Sequence, residues 1–169
     1  MLSDKLLEAL NEQMNFEFES AHTYMAMAAW CSDQSLDGFA NFFLVQAEEE
    51  RFHAMKFYNY INDRGKRATI TGYDTPKNEF DSILDVYKHG YEHERMVTER
   101  IYKLSDIAMD EREHATIQFL KFFLDEQVEE EAMFDTIIDK LKLVENDKHA
   151  LFMLDDEFSK RTFTPGGNE

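Results

Sequence analysis

Glu48-Glu49-Glu50-Arg51-Phe52-His53 lies in the middle of a stretch free of glycine and proline, Phe39 to Asp63. On a helix, Glu50 and His53 fall one turn apart on one face, so a carboxylate and an imidazole can reach the same ion. Three other segments carry candidates of the same kind: Glu17, Glu94, and Gln127 with Glu130. Their spacings repeat. The step from position 17 to position 50 is 33 residues, and so is the step from 94 to 127. Each second member is followed three residues later by another polar group, His53 or Glu130. Two antiparallel helix pairs related by a pseudo-twofold axis would bring all these groups to one point inside a bundle. Carboxylate-bridged binuclear metal sites in helical bundles use that arrangement.

Each of these groups sits in an apolar stripe at helical spacing. Glu17 is in phase with Leu10, Met14, Ala21, Tyr24 and Ala28, and Glu50 with Phe43, Ala47, Ala54 and Phe57. Glu94 shares its face with Tyr87, Tyr91, Val97 and Ile101, and Gln127 with Leu120, Phe123, Phe134 and Ile138. A single Glu-x-x-His pair is more often a surface feature, and a lone tyrosine such as Tyr24 more often packing. Four in-phase groups at one depth are different. Buried carboxylates repel one another unless they are neutralised or bind cations between them. One imidazole among several carboxylate and amide oxygens is a hard donor set that suits iron or manganese better than structural zinc. Tyr24, two turns beyond Glu17, could hydrogen-bond a metal-binding carboxylate or supply an electron.

The rest of the chain supports long helices. A first segment spans about residues 3–32, with Leu6, Leu10, Met14, Phe18, Ala21 and Met25 recurring at three- and four-residue steps. Asp37-Gly38 reads as a turn before the second helix, residues 39–63, and Gly65 follows its end. Residues 65–79 read as a long loop, which lets the second and third helices run parallel. Thr75-Pro76 is expected to start the third helix, running to about Met109. Asp110-x-x-Glu113 resembles a capping box for the fourth, running to about Val144. A shorter helix holds Leu151, Phe152, Leu154 and Phe158. Residues 1–160 are expected to form one domain, and 161–169, with Pro165-Gly166-Gly167, a flexible tail.

Composition narrows the function. The 169 residues carry 35 acidic against 18 basic side chains, a formal charge of −17, which argues against nucleic-acid partners. No apolar run approaches the ~20 residues of a membrane helix. One cysteine, Cys31, fits a reducing compartment, and a cytoplasmic location is expected.

Taken together, these residues resemble the bacterial non-haem ferritins. The resemblance spans about residues 1–160 and includes Leu-Asn-Glu-Gln-Met-Asn (10–15), Ala-Trp-Cys (29–31), Glu-Glu-Glu-Arg-Phe-His (48–53), Glu-Gln-Val-Glu-Glu-Glu (126–131) and Ile-Ile-Asp-Lys-Leu (137–141). It implies an all-α, ferritin-like four-helix bundle with a long crossover between helices 2 and 3 and a short fifth C-terminal helix. It also implies a ferroxidase centre. Glu17, Glu50 and His53 would bind one iron, and Glu50, Glu94 and Glu130 a second, with Gln127 beside it. Glu49, Glu126, Glu129 and Glu130 match a third iron site, and Tyr24 the family's tyrosine near the diiron pair. The family implies an iron-storing shell of 24 identical subunits, with O2 or H2O2 as oxidant.

Haem-binding relatives carry a second Glu-x-x-His on the fourth helix and a methionine after the first glutamate of the motif. Here those positions are Gln127-x-x-Glu130 and Arg51, so no haem is expected. A single cysteine excludes the extra iron domain of rubrerythrins. Residues 147–158 and the lack of a basic tail argue against mini-ferritins. Two other readings stand beside iron storage: a diiron or manganese–iron carboxylate oxidase acting on an organic substrate, and a helical interaction bundle without chemistry.

Overall fold

In the computed structural model, residues 2–165 are described, and they form five α-helices. These are α1 (Asp4–Asp33), α2 (Asp37–Asp63), α3 (Ile83–Asp110), α4 (His114–Leu143) and α5 (Lys148–Phe158). Among the described residues none is in a strand, and no helix is long and apolar enough to cross a membrane.

Contacts at the two ends give the topology. Ser3, which caps α1 by accepting from the Leu6 amide, also donates to Glu111, just past α3. Arg64, just past α2, forms a forked ion pair with Glu113, the residue before α4. The starts of α1 and α4 and the ends of α2 and α3 therefore share one end of the bundle. At the other end, Phe39 of α2 packs against Tyr87 of α3. Helices α2 and α3 run parallel, and residues 64–82 cross the bundle to allow it.

That crossover lies along α1. Thr69 and Thr71 donate their amides to Asn11 and Asn15, Tyr73 meets His22, and Phe80 meets Trp30. The asparagine side chains give Thr69 and Thr71 the backbone partners a sheet would otherwise supply.

Three boundaries differ from expectation. Helix α3 starts at Ile83 and not at Thr75-Pro76. Ser82 accepts from the Asp85 amide at 3.1 Å while Asp85 accepts from the Asp81 amide at 3.1 Å, a more complete cap than threonine followed by proline offers. Helix α3 also runs through Asp110, leaving Glu113 alone to cap α4 by accepting from the Thr116 amide. Gly38 lies inside the first turn of α2, and the α1–α2 turn falls at residues 34–36, where Ser35 takes a φ of 60°. The first residues of the tail expected from residue 161 are held against α2. Arg161 hydrogen-bonds to Gln46 and Glu49 of α2, and Phe163 packs on Phe52. Residues 166–169 of that tail lie outside the described residues.

Glu113 caps one helix and pairs with the end of another, and the Arg64 guanidinium beside it holds its carboxyl down to about 2. Glu113→Ala should destabilise the fold by about 1–2 kcal/mol, the usual range for a lost cap. Because its folded pKa lies below its ordinary value, the contribution is complete above about pH 4.5 and disappears as pH falls toward 2. Urea midpoints of wild type and variant should converge across that window.

The apolar core comes in two blocks. One, around Tyr24, Phe43, Tyr87 and Phe134, fills the end near α5. The other, around Leu6, Leu10, Phe57, Ile101 and Phe123, fills the end near Ser3 and Glu113. Between them, buried polar groups from all four long helices form a belt.

Candidate metal centre

The belt is built where the four stripes change character. Glu17, Glu50 and Glu94 are essentially inaccessible, and His53, Gln127 and Glu130 are also buried. Donor atoms of Glu17, Glu50 and His53 lie within 4.8 Å of one another. Glu17 Oε2 and Glu50 Oε2 are buried without a hydrogen-bond partner. Unpartnered buried carboxylate oxygens are costly and rare, and two beside an imidazole call for a cation.

Glu94 stands opposite. Its Oε1 accepts from the Tyr24 hydroxyl, and its Oε2 accepts from Gln127 Nε2 at 3.0 Å. Glu130 Oε2 accepts from Gln46 Nε2 at 2.9 Å. Glu126 reaches His53 Nε2 at 3.8 Å, while His53 Nδ1 lies 3.7 Å from Glu50. Glu49, Glu126, Glu129 and Glu130 line a cavity of about 280 Å³ beside the belt, together with Arg161 and Phe163. All ten residues singled out in the sequence therefore fall either in the belt or on this adjoining cavity.

Burial and mutual repulsion raise every carboxyl in the belt. Glu17 is pushed up by burial and then by Glu50, and Glu50 by burial and then by Glu94. Glu94 is raised by burial although Tyr24 and Gln127 oppose this, and Glu130 reaches about 8 through burial and the nearby Glu94 and Glu49. Tyr24 is raised by burial and by Glu94, so it stays a phenol and donates. Burial pulls the His53 imidazole down, but the surrounding carboxylates, Glu126 first, outweigh this and raise it.

Two glutamines were missed in the sequence. Gln13 Nε2 donates to Glu17 Oε1 at 2.8 Å while its own oxygen accepts from Arg100 at 3.1 Å. Gln46 does the same between Arg161 and Glu130. Each precedes a belt glutamate by four residues, Gln13 before Glu17 and Gln46 before Glu50, and that repeat was a readable signal.

A four-helix bundle with a long crossover between the parallel helices α2 and α3, and a carboxylate–histidine belt across its middle, defines a narrow class of proteins. The model of the ferritin-like domain matches residues 7–144, and the chain belongs to the ferritin-like family. It is similar to the bacterial non-heme ferritins of Staphylococcus saprophyticus and Staphylococcus aureus. Each is 55% identical over 163 residues, covering 96% of this chain and 98% of the relative. Among solved structures, the open-pore ferritin of the archaeon Archaeoglobus fulgidus superposes with a TM-score of 0.94 at 44% identity, covering 96% of this chain and 100% of that one. A form of the same ferritin engineered to be closed gives 0.95 at 44% identity, covering 97% and 100%.

Proposed function

We propose that this protein stores iron. Fe(II) is oxidised to Fe(III) at a diiron ferroxidase centre within each subunit, and ferric mineral is held inside a hollow shell of 24 copies in the cytoplasm. Residues 1–160 form the ferritin-like unit. Glu17, Glu50 and His53 take one iron, and Glu50, Glu94 and Glu130 the other, with Gln127 anchoring Glu94. Glu49, Glu126, Glu129 and Glu130 form a third iron site. The observation that carries this reading is the pair of buried, unpartnered oxygens on Glu17 and Glu50 beside His53.

Chemically, two Fe(II) ions each give one electron to O2 or H2O2, which takes up protons. Donors dominated by carboxylate oxygen favour the higher charge of Fe(III). Tyr24, hydrogen-bonded to Glu94, is placed to steady that carboxylate or to give up an electron. The adjoining cavity sets four carboxylates among Phe52, Phe122, Met133 and Phe163, and that concentration of negative charge favours a cation as substrate over the oxidase reading. Exposed apolar side chains such as Phe152 (70%) and Leu143 (85%) offer contact surface for other copies. The name non-heme ferritin, carried by relatives at 55% identity, agrees with the absence of a second histidine and with Arg51.

Stopped-flow oxidation after anaerobic Fe(II) loading tests the centre, with Glu50→Ala as the decisive variant. Light scattering tests the shell, since the oxidase reading requires a small oligomer.

Metal binding must also respond to pH. With the belt carboxyls raised, and Glu130 at about 8, the metal-free centre holds protons that an incoming ion displaces. Divalent-metal affinity should rise with pH toward 8, with protons released to a weak buffer. The metal-free protein behaves oppositely. Carboxyls raised by folding make it lose stability as pH climbs from about 4.5 through 8. Bound metal should cancel that loss, as melting curves at successive pH values will show. A metal affinity that stays flat across this range would count against the centre.

A further inference from the structure

Arg161, three residues beyond α5, sits over the Phe42 ring with its guanidinium carbon 4.3 Å from the ring centre. One nitrogen of its guanidinium donates to Gln46 Oε1 and, at 3.0 Å, to Glu49 Oε2. Gln46 is fully buried and passes its other end, Nε2, to Glu130 Oε2 at 2.9 Å. An amide has one accepting and one donating end. With the oxygen held by a guanidinium, the nitrogen must face Glu130. One positive charge thus bears on two carboxylates, Glu49 directly at the cavity and Glu130 through the amide.

We propose that Arg161 is a resident counter-cation of the outer carboxylate cluster, occupying Glu49 in place of a metal ion and orienting Glu130 through Gln46. This rests on the reading of Glu49, Glu126, Glu129 and Glu130 as a third iron site. An ion arriving there must displace a charge-assisted contact from Glu49. Coulombic attraction scales with charge, so Fe(III) displaces the guanidinium more readily than Fe(II) does. The outer site therefore stays weak for Fe(II) and accepts the oxidised ion, which gives traffic through the cavity a direction. The Phe42 ring beneath and the Phe163–Phe52 contact alongside keep the guanidinium in place without a second carboxylate partner.

The test is calorimetric titration of the assembled, iron-free protein with Zn(II), which binds without redox turnover. Arg161→Gln should tighten the outer class of sites about tenfold, the scale of one charge-assisted hydrogen bond. Arg161→Lys keeps the charge but loses the stacked, forked guanidinium, so its outer affinity should fall between wild type and Arg161→Gln. Outer affinity unchanged in Arg161→Gln, or raised equally in both variants, overturns the proposal. Glu49→Gln separates the two readings. Loss of the outer class in that variant upholds the third site whatever Arg161 does. Persistence of the class sinks the third site, and the proposal with it.

Discussion

Glu50→Ala should slow the fast phase of Fe(II) oxidation by on the order of a hundredfold or more. Removing even an outer partner of a metal ligand typically costs ~10–100-fold, and Glu50 is proposed to touch both ions. The same substitution should leave the metal-free subunit as stable as wild type, or more so. Glu50 is buried, its Oε2 has no partner, and both burial and Glu94 push its carboxyl up, so ordinary stability does not explain its presence. Ligand linkage predicts the complementary loss: a redox-inert divalent metal should raise the melting temperature of wild type and barely move the variant. Fast oxidation retained in Glu50→Ala would remove the site assignment. A variant that lost activity but also unfolded would point to a structural carboxylate instead.

Gly38→Ala should be the most damaging single-methyl change in the fold. A Cβ there would lie 1.6 Å from the Asp155 carbonyl oxygen and 2.5 Å from its carbon, a clash with backbone that no rotamer relieves. Helix α5 would have to lift. With it would go the Asp155 carboxylate that accepts from the Phe39 amide at 3.0 Å, serving the first turn of α2 where Leu36 provides no side-chain cap. The bonds from Asn41 to the Phe158 and Arg161 carbonyls and the burial of Phe158 would be lost as well. Together these amount to roughly 3 kcal/mol or more. Gly65→Ala is the control. Gly65 has a φ of 71° but open space around it, so only about 1 kcal/mol of backbone strain is expected. Melting temperature and protease nicking between α4 and α5 should both separate Gly38→Ala from this control. Equal behaviour would mean that α5 is not seated as closely as described.

The belt was legible because helical phase is rigid. Within each helix the period of 3.6 residues sets Glu17, Glu50 with His53, Glu94, or Gln127 with Glu130 in an apolar stripe, and the repeated 33-residue step pairs the helices. The long crossover was legible for a related reason, since a run of turn formers between two periodic segments has few other uses. What escaped were decisions made by contacts between distant segments. Thr75-Pro76 offers local start signals, but Ser82 caps the Asp85 amide, Asp85 accepts from the Asp81 amide, and Phe80 is drawn against Trp30. Asp37-Gly38 has the composition of a turn, yet the glycine is there because Asp155 comes so close. The local sign of Gln13 and Gln46 is no more than their four-residue step before Glu17 and Glu50. Their partners, Arg100 and Arg161, are 87 and 115 residues away, beyond any local pattern.

The Asp155 contact also sets an order in time. During synthesis from the N-terminus, α1 and α2 emerge long before residue 155, so the first turn of α2 waits for its acceptor until Asp155 has been added. Gln46 likewise takes its orientation from Arg161, which comes later still. A nascent chain therefore carries its carboxylates before it carries the groups that aim them.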